Sequence, residues 1–180
     1  SAHGIWGGIC AKTAIRHNDV SRTLYSSIAV GWSHSKDETA CRENRIEWNH
    51  VHDVLLLLDH GGAVYTLGNQ PGTVIRGNHI HGTHWTKLHG KFPRPNWAGG
   101  GLAFDDGSSG FVVEKNILYD IAPPSDLALK RGRADDMSVV RDNACDIRPG
   151  EPGFPTDIAE KAGLEPAYRD LQDKPFETVP

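Results

Sequence analysis

Several features that would assign this chain to a common class are missing from its sequence. Only three cysteines occur, none in a Cys-x-x-Cys pair, which argues against a disulfide framework and a cysteine-bound zinc site. The longest apolar run, residues 54–58, is far shorter than the roughly 20 residues of a membrane span. The net charge is −4 without a basic stripe, so phosphate neutralisation cannot support nucleic-acid binding. We therefore expect no membrane and no nucleic acid as partner.

Helical periodicity and cofactor motifs are missing as well. The three glycines at 99–101 are not followed by a helical pattern, so they do not form a nucleotide-binding loop, and we expect no cofactor. Glycine, with 20 residues, and histidine, with 10, are abundant instead. Short β-branched segments separated by Gly, Asn and Asp indicate an all-β, turn-rich chain.

The sequence repeats itself at intervals of about 30 residues. Five segments read β-branched residue, charged residue, any residue, Asn, any residue, apolar residue, and they occupy 15–20, 46–51, 75–80, 113–118 and 140–145. A second motif, which begins with a small residue, precedes the first four of them at 4–6, 27–30, 62–65 and 101–104. When the repeats that begin at residues 62 and 101 are aligned at that small residue, Asp105 lies opposite Thr66.

Two short strands per repeat, in a fixed order, predict a solenoid in which repeats share one core. The fold class we predict is a right-handed parallel β-helix of the pectin-lyase-like type over residues 1–150. The five Asn residues are expected to stack in one ladder at a turn. The charged residue alternates in sign between repeats, which predicts ion pairs along Arg16, Glu47, Arg76, Glu114 and Arg141.

The ends of the repeat region differ from each other. Residues 151–180 are predicted as a helical C-terminal capping tail, with one or two short helices between Asp157, as N-cap, and Leu171, and with Gly163 closing the first. At the other end the sequence opens inside a repeat, so we expect the N-terminal part of the β-helix to be missing and to be a partner of this chain. Longer insertions lie at 37–43 and 83–98.

The sequence of the repeats resembles that of carbohydrate-active right-handed β-helix proteins, in particular glycoside hydrolase family 141. By this resemblance the chain corresponds to the C-terminal part of the β-helix domain of that family. The likeness lies in residues 3–8, 15–18, 30–32, 44–52, 61–73, 78–81, 105–110 and 162–171. The most specific segments are Tyr-Thr-Leu-Gly-Asn-Gln-Pro-Gly-Thr at 65–73 and residues 162–171. The resemblance implies hydrolysis of a polysaccharide or oligosaccharide, in an extracellular or periplasmic location.

Glycoside hydrolysis generally needs two carboxylates. The candidates are Asp59, Asp105 and Asp106, with His60 beside them. Sequences of this kind carry Asp immediately before the Gly-Gly pair at 61–62, where this chain has His60, so the role has moved to Asp59 or has been lost. In a straight strand Asp59 and Asp105 would be about 20 Å apart, so a tight turn at the glycine pair is required. Turn chemistry alone is the simpler interpretation of both strings.

Other candidates concern substrate binding. Aromatic rings can cover the apolar faces of sugars, and the best placed are Trp85 and Trp97 in the long insertion, with Tyr65 near the carboxylates. Trp6 and Trp32 are further candidates for stacking on sugars, although a place in the core is the favoured interpretation of Trp6. Asn69 and Gln70, in a Gly-rich turn, can bond hydroxyl groups.

Histidines form a further pattern. His50, His52, His79 and His81 flank inward-facing residues of two adjacent repeats, so all four should project from one outer face. Metal binding, substrate contact and a plain polar surface are all compatible with that pattern; we include His81 among the substrate-binding candidates and predict no metal.

Two other functions remain open. A polysaccharide lyase on the same scaffold would use His60, His81, Lys87 or Arg76 to remove a proton beside a uronate. A non-catalytic carbohydrate-binding chain is the second alternative, favoured by the replacement at His60. The leading hypothesis is a glycoside hydrolase that uses a pair of Asp carboxylates.

Overall fold

The computed structural model describes residues 3–58, 60–84, 100–122, 129–131 and 138–172. Its strands form three five-stranded parallel sheets, and every third strand in chain order belongs to the same sheet. The first sheet contains β1 (Ile5–Gly7), β4 (Ile28–Val30), β7 (Gly62–Thr66), β10 (Gly100–Phe104) and β13 (Leu129–Arg131). The second contains β2 (Ala14–Arg16), β5 (Arg45–Glu47), β8 (Asn69–Arg76), β11 (Ser109–Glu114) and β14 (Val139–Arg141). The third contains β3 (Asp19–Ser21), β6 (His50–Val54), β9 (His79–Thr83), β12 (Ile117–Tyr119) and β15 (Ala144–Cys145).

The predicted fold class, a right-handed parallel β-helix, is wrong as a description of this structure. The hydrogen-bonded strands define three separate parallel sheets, and among the described residues no strand pairing joins one sheet to another. The reason lies in what a repeat specifies. A repeat determines which strands pair from one unit to the next, but it carries no information on how the sheets close around the core.

Apolar side chains from all three sheets share one hydrophobic cluster. It includes Ile28, Val64 and Leu102 of the first sheet, Ile46, Ile75 and Val113 of the second, and Val51, Ile80 and Leu118 of the third. These residues alternate with outward-facing neighbours along each strand, as the two-residue period of a strand requires. Polar chemistry is therefore left to the outer faces.

The Asn ladder is confirmed. The side-chain amides of Asn18, Asn49, Asn78 and Asn116 each donate to the Oδ1 of the next ladder Asn, at 2.8–2.9 Å, ending at Asn143. The backbone N–H of each of the same four residues donates to the same acceptor at 3.0–3.1 Å. Asn49, Asn78 and Asn116 are fully buried, so the ladder satisfies polar groups that water cannot reach.

The residue before each ladder Asn has a left-handed backbone. Its φ lies between 52° and 64° at His17, Trp48, Gly77, Lys115 and Asp142. The sequence pattern left this position unspecified, and only one of the five is glycine. The ladder therefore holds four non-glycine residues in a conformation that costs roughly 1–2 kcal/mol each.

The alternating charges pair as predicted. Glu47 contacts Arg16 at 2.9 Å and Arg76 at 3.7 Å. Glu114 contacts Arg76 at 3.1 Å and Arg141 at 2.7 Å. Both glutamates are buried, so each needs the arginines on either side of it.

In the first sheet the register of two strand pairs, β4–β7 and β7–β10, differs by one residue from the alignment by small residues, whereas Ile5 lies opposite Ile28 as that alignment predicts. Val64 lies opposite Ile28, Leu102 opposite Val64, and Phe104 opposite Thr66. A slip of one residue would turn every inward side chain outward, so burial of Val64 and Leu102 overrides the match of small residues. Asp105 consequently follows the Phe104–Thr66 pair.

The tail beyond the sheets contains the two predicted helices. The α-helix α1 spans Thr156–Lys161 and a 3₁₀ helix spans Pro166–Leu171. The N-cap is Pro155, not Asp157, so that detail was wrong; Asp157 lies in the first turn. Gly163, with φ +83°, follows the helix and donates its N–H to the Trp48 carbonyl at 2.8 Å, which fixes the tail to the sheets. No helix among the described residues is long and apolar enough to cross a membrane.

Candidate functional site

Asp105 is held by the backbone at the end of β10. Its N–H donates to the Thr66 carbonyl at 3.0 Å, and its carbonyl accepts the Ser108 N–H at 2.9 Å. Gly107, with φ +72°, completes this turn; a Cβ there would lie 2.2 Å from the Ser35 carbonyl oxygen, so only glycine fits. The Asp-Asp-Gly string is thus turn chemistry, as the simpler interpretation proposed, and it also fixes a carboxylate in place.

The Asp105 carboxylate faces Tyr65 and His60. The Tyr65 hydroxyl donates to Asp105 Oδ2 at 2.5 Å, and His60 Nε2 lies 3.6 Å from the same oxygen. His60 Nε2 is 3.3 Å from the Tyr65 hydroxyl, so the three groups contact one another. Burial, together with the bond to Asp105, raises the pKa of the Tyr65 phenol well above its usual value. Tyr65 therefore keeps its proton and acts as a donor.

The chain bends sharply between His60 and β7. A straight strand of five steps would separate His60 from Tyr65 by about 16 Å. The contact between their side chains shows that the chain turns back, and Gly61, with φ +130°, provides the turn. The tight turn predicted at the glycine pair is therefore present between His60 and Tyr65.

Exposed aromatic rings continue the face beside this group. Trp32 packs edge-on against Tyr65, with ring centres 5.8 Å apart, and Trp6 packs edge-on against Trp32 at 6.2 Å. Trp6 is 58% exposed and Trp32 37%. The outward residues on the two strands beside Tyr65 are small, namely Ala29 and Ala103, which lie opposite Tyr65 in register. The outer face of the first sheet is thus a row of rings that ends at a carboxylate. The expectation that Trp6 is buried in the core was wrong, because its position on β1 faces outward.

The other predicted site residues are distributed differently. Asp106 points to His34, with Oδ2 to Nδ1 at 3.6 Å, and is about half exposed. Asp59, Trp85 and Trp97 lie outside the described residues, so the pairing of Asp59 with Asp105 and the aromatic closure stay predictions.

Asn69 and Gln70 serve the fold. Gln70 is fully buried, and its amide donates to the carbonyls of Val30 and Leu67 at 2.8 and 3.1 Å. Asn69 Oδ1 accepts a bond from the Ser109 hydroxyl at 3.1 Å. Gln70 in particular has no surface to offer a sugar.

The four histidines project from one outer face of the third sheet, as predicted. His50 and His79 are opposite each other in register, as are His52 and His81. His50 Nε2 lies 3.0 Å from His81 Nε2, and His50 Nδ1 lies 3.0 Å from Asp19 Oδ2. We refer to Asp19 and these four histidines as the histidine cluster. His81, a predicted substrate-binding residue, belongs to this cluster on the third sheet, whereas Tyr65 and Asp105 lie at the first.

The electrostatics of the cluster keep part of it neutral. Burial, with repulsion from His50, lowers the pKa of His79 to about 3 and that of His81 to about 4. Burial opposes ionisation of Asp19, but hydrogen bonds with His50 and His52 outweigh it and hold the pKa of this carboxyl well below its usual range. The bond to Asp19 also raises the pKa of His52.

The residues named for a lyase are not assembled. Arg76 is paired with two glutamates on the second sheet, His81 lies on the third, and His60 adjoins the first. Lys87 lies outside the described residues. Among the described residues, therefore, no two members of that set come together.

Comparison with known proteins identifies one informative likeness. The chain is similar to a solved structure titled "Glycoside hydrolase", with a TM-score of 0.75 and 28% sequence identity. The alignment covers 93% of this chain and 25% of that one, so the chain spans a quarter of the length of its neighbour. No family model and no curated protein matches the chain.

Proposed function

We propose that this chain carries part of the active surface of a glycoside hydrolase, of the kind found in family 141, acting on a polysaccharide or oligosaccharide outside the cytoplasm. The single observation that carries the proposal is the contact of Asp105 with Tyr65 and His60 at the end of a row of exposed aromatic rings. The similarity to a protein titled "Glycoside hydrolase" supports the same reaction class.

Asp105 is suited to the role of base or nucleophile. The Tyr65 hydroxyl donates to its Oδ2, and His60 Nε2 lies 3.6 Å from the same oxygen, so two polar neighbours fix the carboxylate beside the aromatic row. The reaction also needs an acid that protonates the leaving oxygen. We assign that role to Asp59, which adjoins His60 in the sequence.

Tyr65 itself is the other possible nucleophile, because some glycosidases use tyrosine. The burial and the neighbouring negative charge that raise the pKa of its phenol make the phenolate costly to form. Tyr65 is therefore assigned to orient Asp105. Replacing Tyr65 by Phe should lower turnover less than removing the Asp105 carboxylate does.

Trp6 and Trp32 are assigned to the sugar residues that flank the reacting bond. Replacing Trp32 by Ala should weaken substrate binding about tenfold, which corresponds to about 1.4 kcal/mol and is typical of one lost ring contact. The effect should appear in KM more than in kcat, since the Trp32 ring lies beside the group formed by Asp105, Tyr65 and His60 and is not one of its members. Tyr168→Ala, which removes another exposed ring, on the 3₁₀ helix, is the matched control and should leave KM unchanged.

The reaction class is tested by incubating the purified protein with fucosides, xylans and pectic glycans and measuring new reducing ends. Hydrolysis of one class, without an ultraviolet-absorbing product, supports the proposal. An unsaturated product would instead indicate a lyase, and binding to a glycan without turnover would indicate a carbohydrate-binding chain. Either of those outcomes overturns the assignment of a hydrolase.

A further inference from the structure

A second cluster, separate from the proposed hydrolase site, has the composition of a metal centre. Its side chains are on the outer face of the third sheet, where the register sets His50 beside His79 and His52 beside His81. One nitrogen from each of His50, His79 and His81 can be chosen so that all three lie within 4.8 Å of one another. The geometry points to a binding site for a divalent transition-metal ion such as Zn²⁺, with His50, His79 and His81 as its ligands.

The distances suit such an ion. Two nitrogens that each lie about 2.0–2.1 Å from a tetrahedral zinc are about 3.4 Å apart. His50 Nε2 and His81 Nε2 are 3.0 Å apart, so both can reach one ion after a small shift of the rings. Imidazole is a favoured ligand for zinc, copper and nickel, and it binds in its neutral form.

Neighbouring groups orient the ligands as they do in metal centres. Asp19 Oδ2 lies 3.0 Å from His50 Nδ1, which places the proton of His50 on that nitrogen and leaves Nε2 as the ligand atom. Tyr119 stacks parallel to His81, with ring centres 5.0 Å apart and planes 3° apart, and its hydroxyl lies 3.1 Å from His79 Nε2. All three ligands are thus held from outside the group.

Asp19, His50 and His52 form an alternative group of similar dimensions. His52 is poorly suited to coordinate, because its Nδ1 lies 2.8 Å from Asp53 and its Nε2 3.2 Å from Asp19. Asp19 likewise uses one oxygen for His50 and the other for His52. The three-histidine group is the one we assign, with Asp19 as the residue that positions His50.

The site is open on one side. His50 and His79 line a cleft of about 280 Å³ between the third sheet and the C-terminal tail, with Ala159, Glu160 and Arg169 on the tail side. Three protein ligands with an open fourth position leave room for a water molecule or another small ligand on the metal. The tail therefore forms one wall of the site.

The test uses the tag-free protein, stripped with EDTA and titrated with ZnCl₂ by calorimetry, with metal content measured after gel filtration. One Zn²⁺ per chain is expected, together with a rise in Tm. Co²⁺ should give the visible absorption bands of a tetrahedral site. The variants His81→Gln and His79→Gln should each weaken Zn²⁺ binding about 100-fold, and Asp19→Asn about 10-fold, in line with loss of a ligand and of its orienting partner.

His34→Gln, which alters an exposed histidine beside Asp106, is the matched control and should bind Zn²⁺ as the wild type does. Circular dichroism shows whether each variant is folded. If a histidine variant does not fold, Asp19→Asn still tests the metal site. Wild-type protein that binds no stoichiometric Zn²⁺ would show that the histidines only hydrogen-bond to one another. Loss of binding in His52→Gln but not in His81→Gln would move the ion to the alternative group. Either result overturns the assignment.

Discussion

Replacing Asp105 by Asn is expected to lower kcat on the substrate found by screening about 1000-fold or more. The substitution keeps the size of the side chain and its contact with the Tyr65 hydroxyl, but removes the charge that would act as base or nucleophile. Loss of a positioned acid–base group typically costs 10²–10⁴-fold, and loss of a nucleophile costs at least as much. Initial rates of reducing-end release, measured beside KM, separate this effect from weaker binding.

Two further variants make the result specific. Asp142→Asn changes an exposed carboxylate in a turn of the second sheet and should keep the wild-type rate. Asp106→Asn should have a small effect, because Asp106 faces His34 and is about half exposed. If Asp106→Asn abolishes turnover while Asp105→Asn does not, the reacting carboxylate is the second of the pair and the role of Tyr65 is wrong.

The second large effect is on stability. Replacing Asn78 by Ala should lower the free energy of unfolding by about 2–4 kcal/mol, because it removes four hydrogen bonds from a buried position. Asn78 Oδ1 accepts from the backbone and side chain of Asn49 at 3.0 and 2.9 Å, and its amide donates to the Ile46 carbonyl and Asn116 Oδ1 at 2.9 Å. A Tm lower by about 5–15 °C is expected for a chain of this size.

The control for the ladder is Asn18→Ala, at its end. Asn18 is only partly buried, and its amide donates to Asn49 Oδ1 at 2.9 Å and to the Arg16 carbonyl at 3.0 Å. We expect a loss of about 1 kcal/mol there. Equal losses at Asn18 and Asn78, or none at Asn78, would contradict a cooperative ladder.

The parts of the fold that were predictable are those in which one side chain repeats for one reason. Each ladder Asn must satisfy the same buried groups, so the residue recurs and its partners can be read from the spacing. The alternating Arg and Glu follow the same logic, since a buried Glu114 needs cations on both sides. The first sheet offered no such marker, and matching small residues gave a register wrong by one between β4 and β7 and between β7 and β10. Closure of the sheets was not predictable, because pairing between repeats leaves it undetermined.

The candidate site was predictable only in part. The turn chemistry that fixes Asp105 is visible as Asp-Asp-Gly, and strand alternation gives its outward direction. The contact of Asp105 with His60 depends on the bend at Gly61, and no local sequence pattern gives the angle of that bend. The sequence offered one sign that Trp6 faces outward, namely its place between Ile5 and Gly7 on a strand whose inward residue is Ile5. Its aromatic character nevertheless favoured a place in the core. Gln70 shows the reverse error, a polar residue assigned to the surface that the structure buries.

In the proposed complex a sugar chain lies along the aromatic row with its reacting bond at Asp105. The most direct test is a crystal structure of the Asp105→Asn variant with an oligosaccharide of the substrate identified by screening. We expect a sugar ring against Trp32 and the glycosidic oxygen or anomeric carbon within about 3–3.5 Å of the residue 105 side chain, the separation of a reactive complex. An oligosaccharide bound in the cleft beside the histidine cluster, or one whose nearest glycosidic bond is more than about 10 Å from residue 105, beyond the carboxylate spacing of either hydrolytic mechanism, would contradict it.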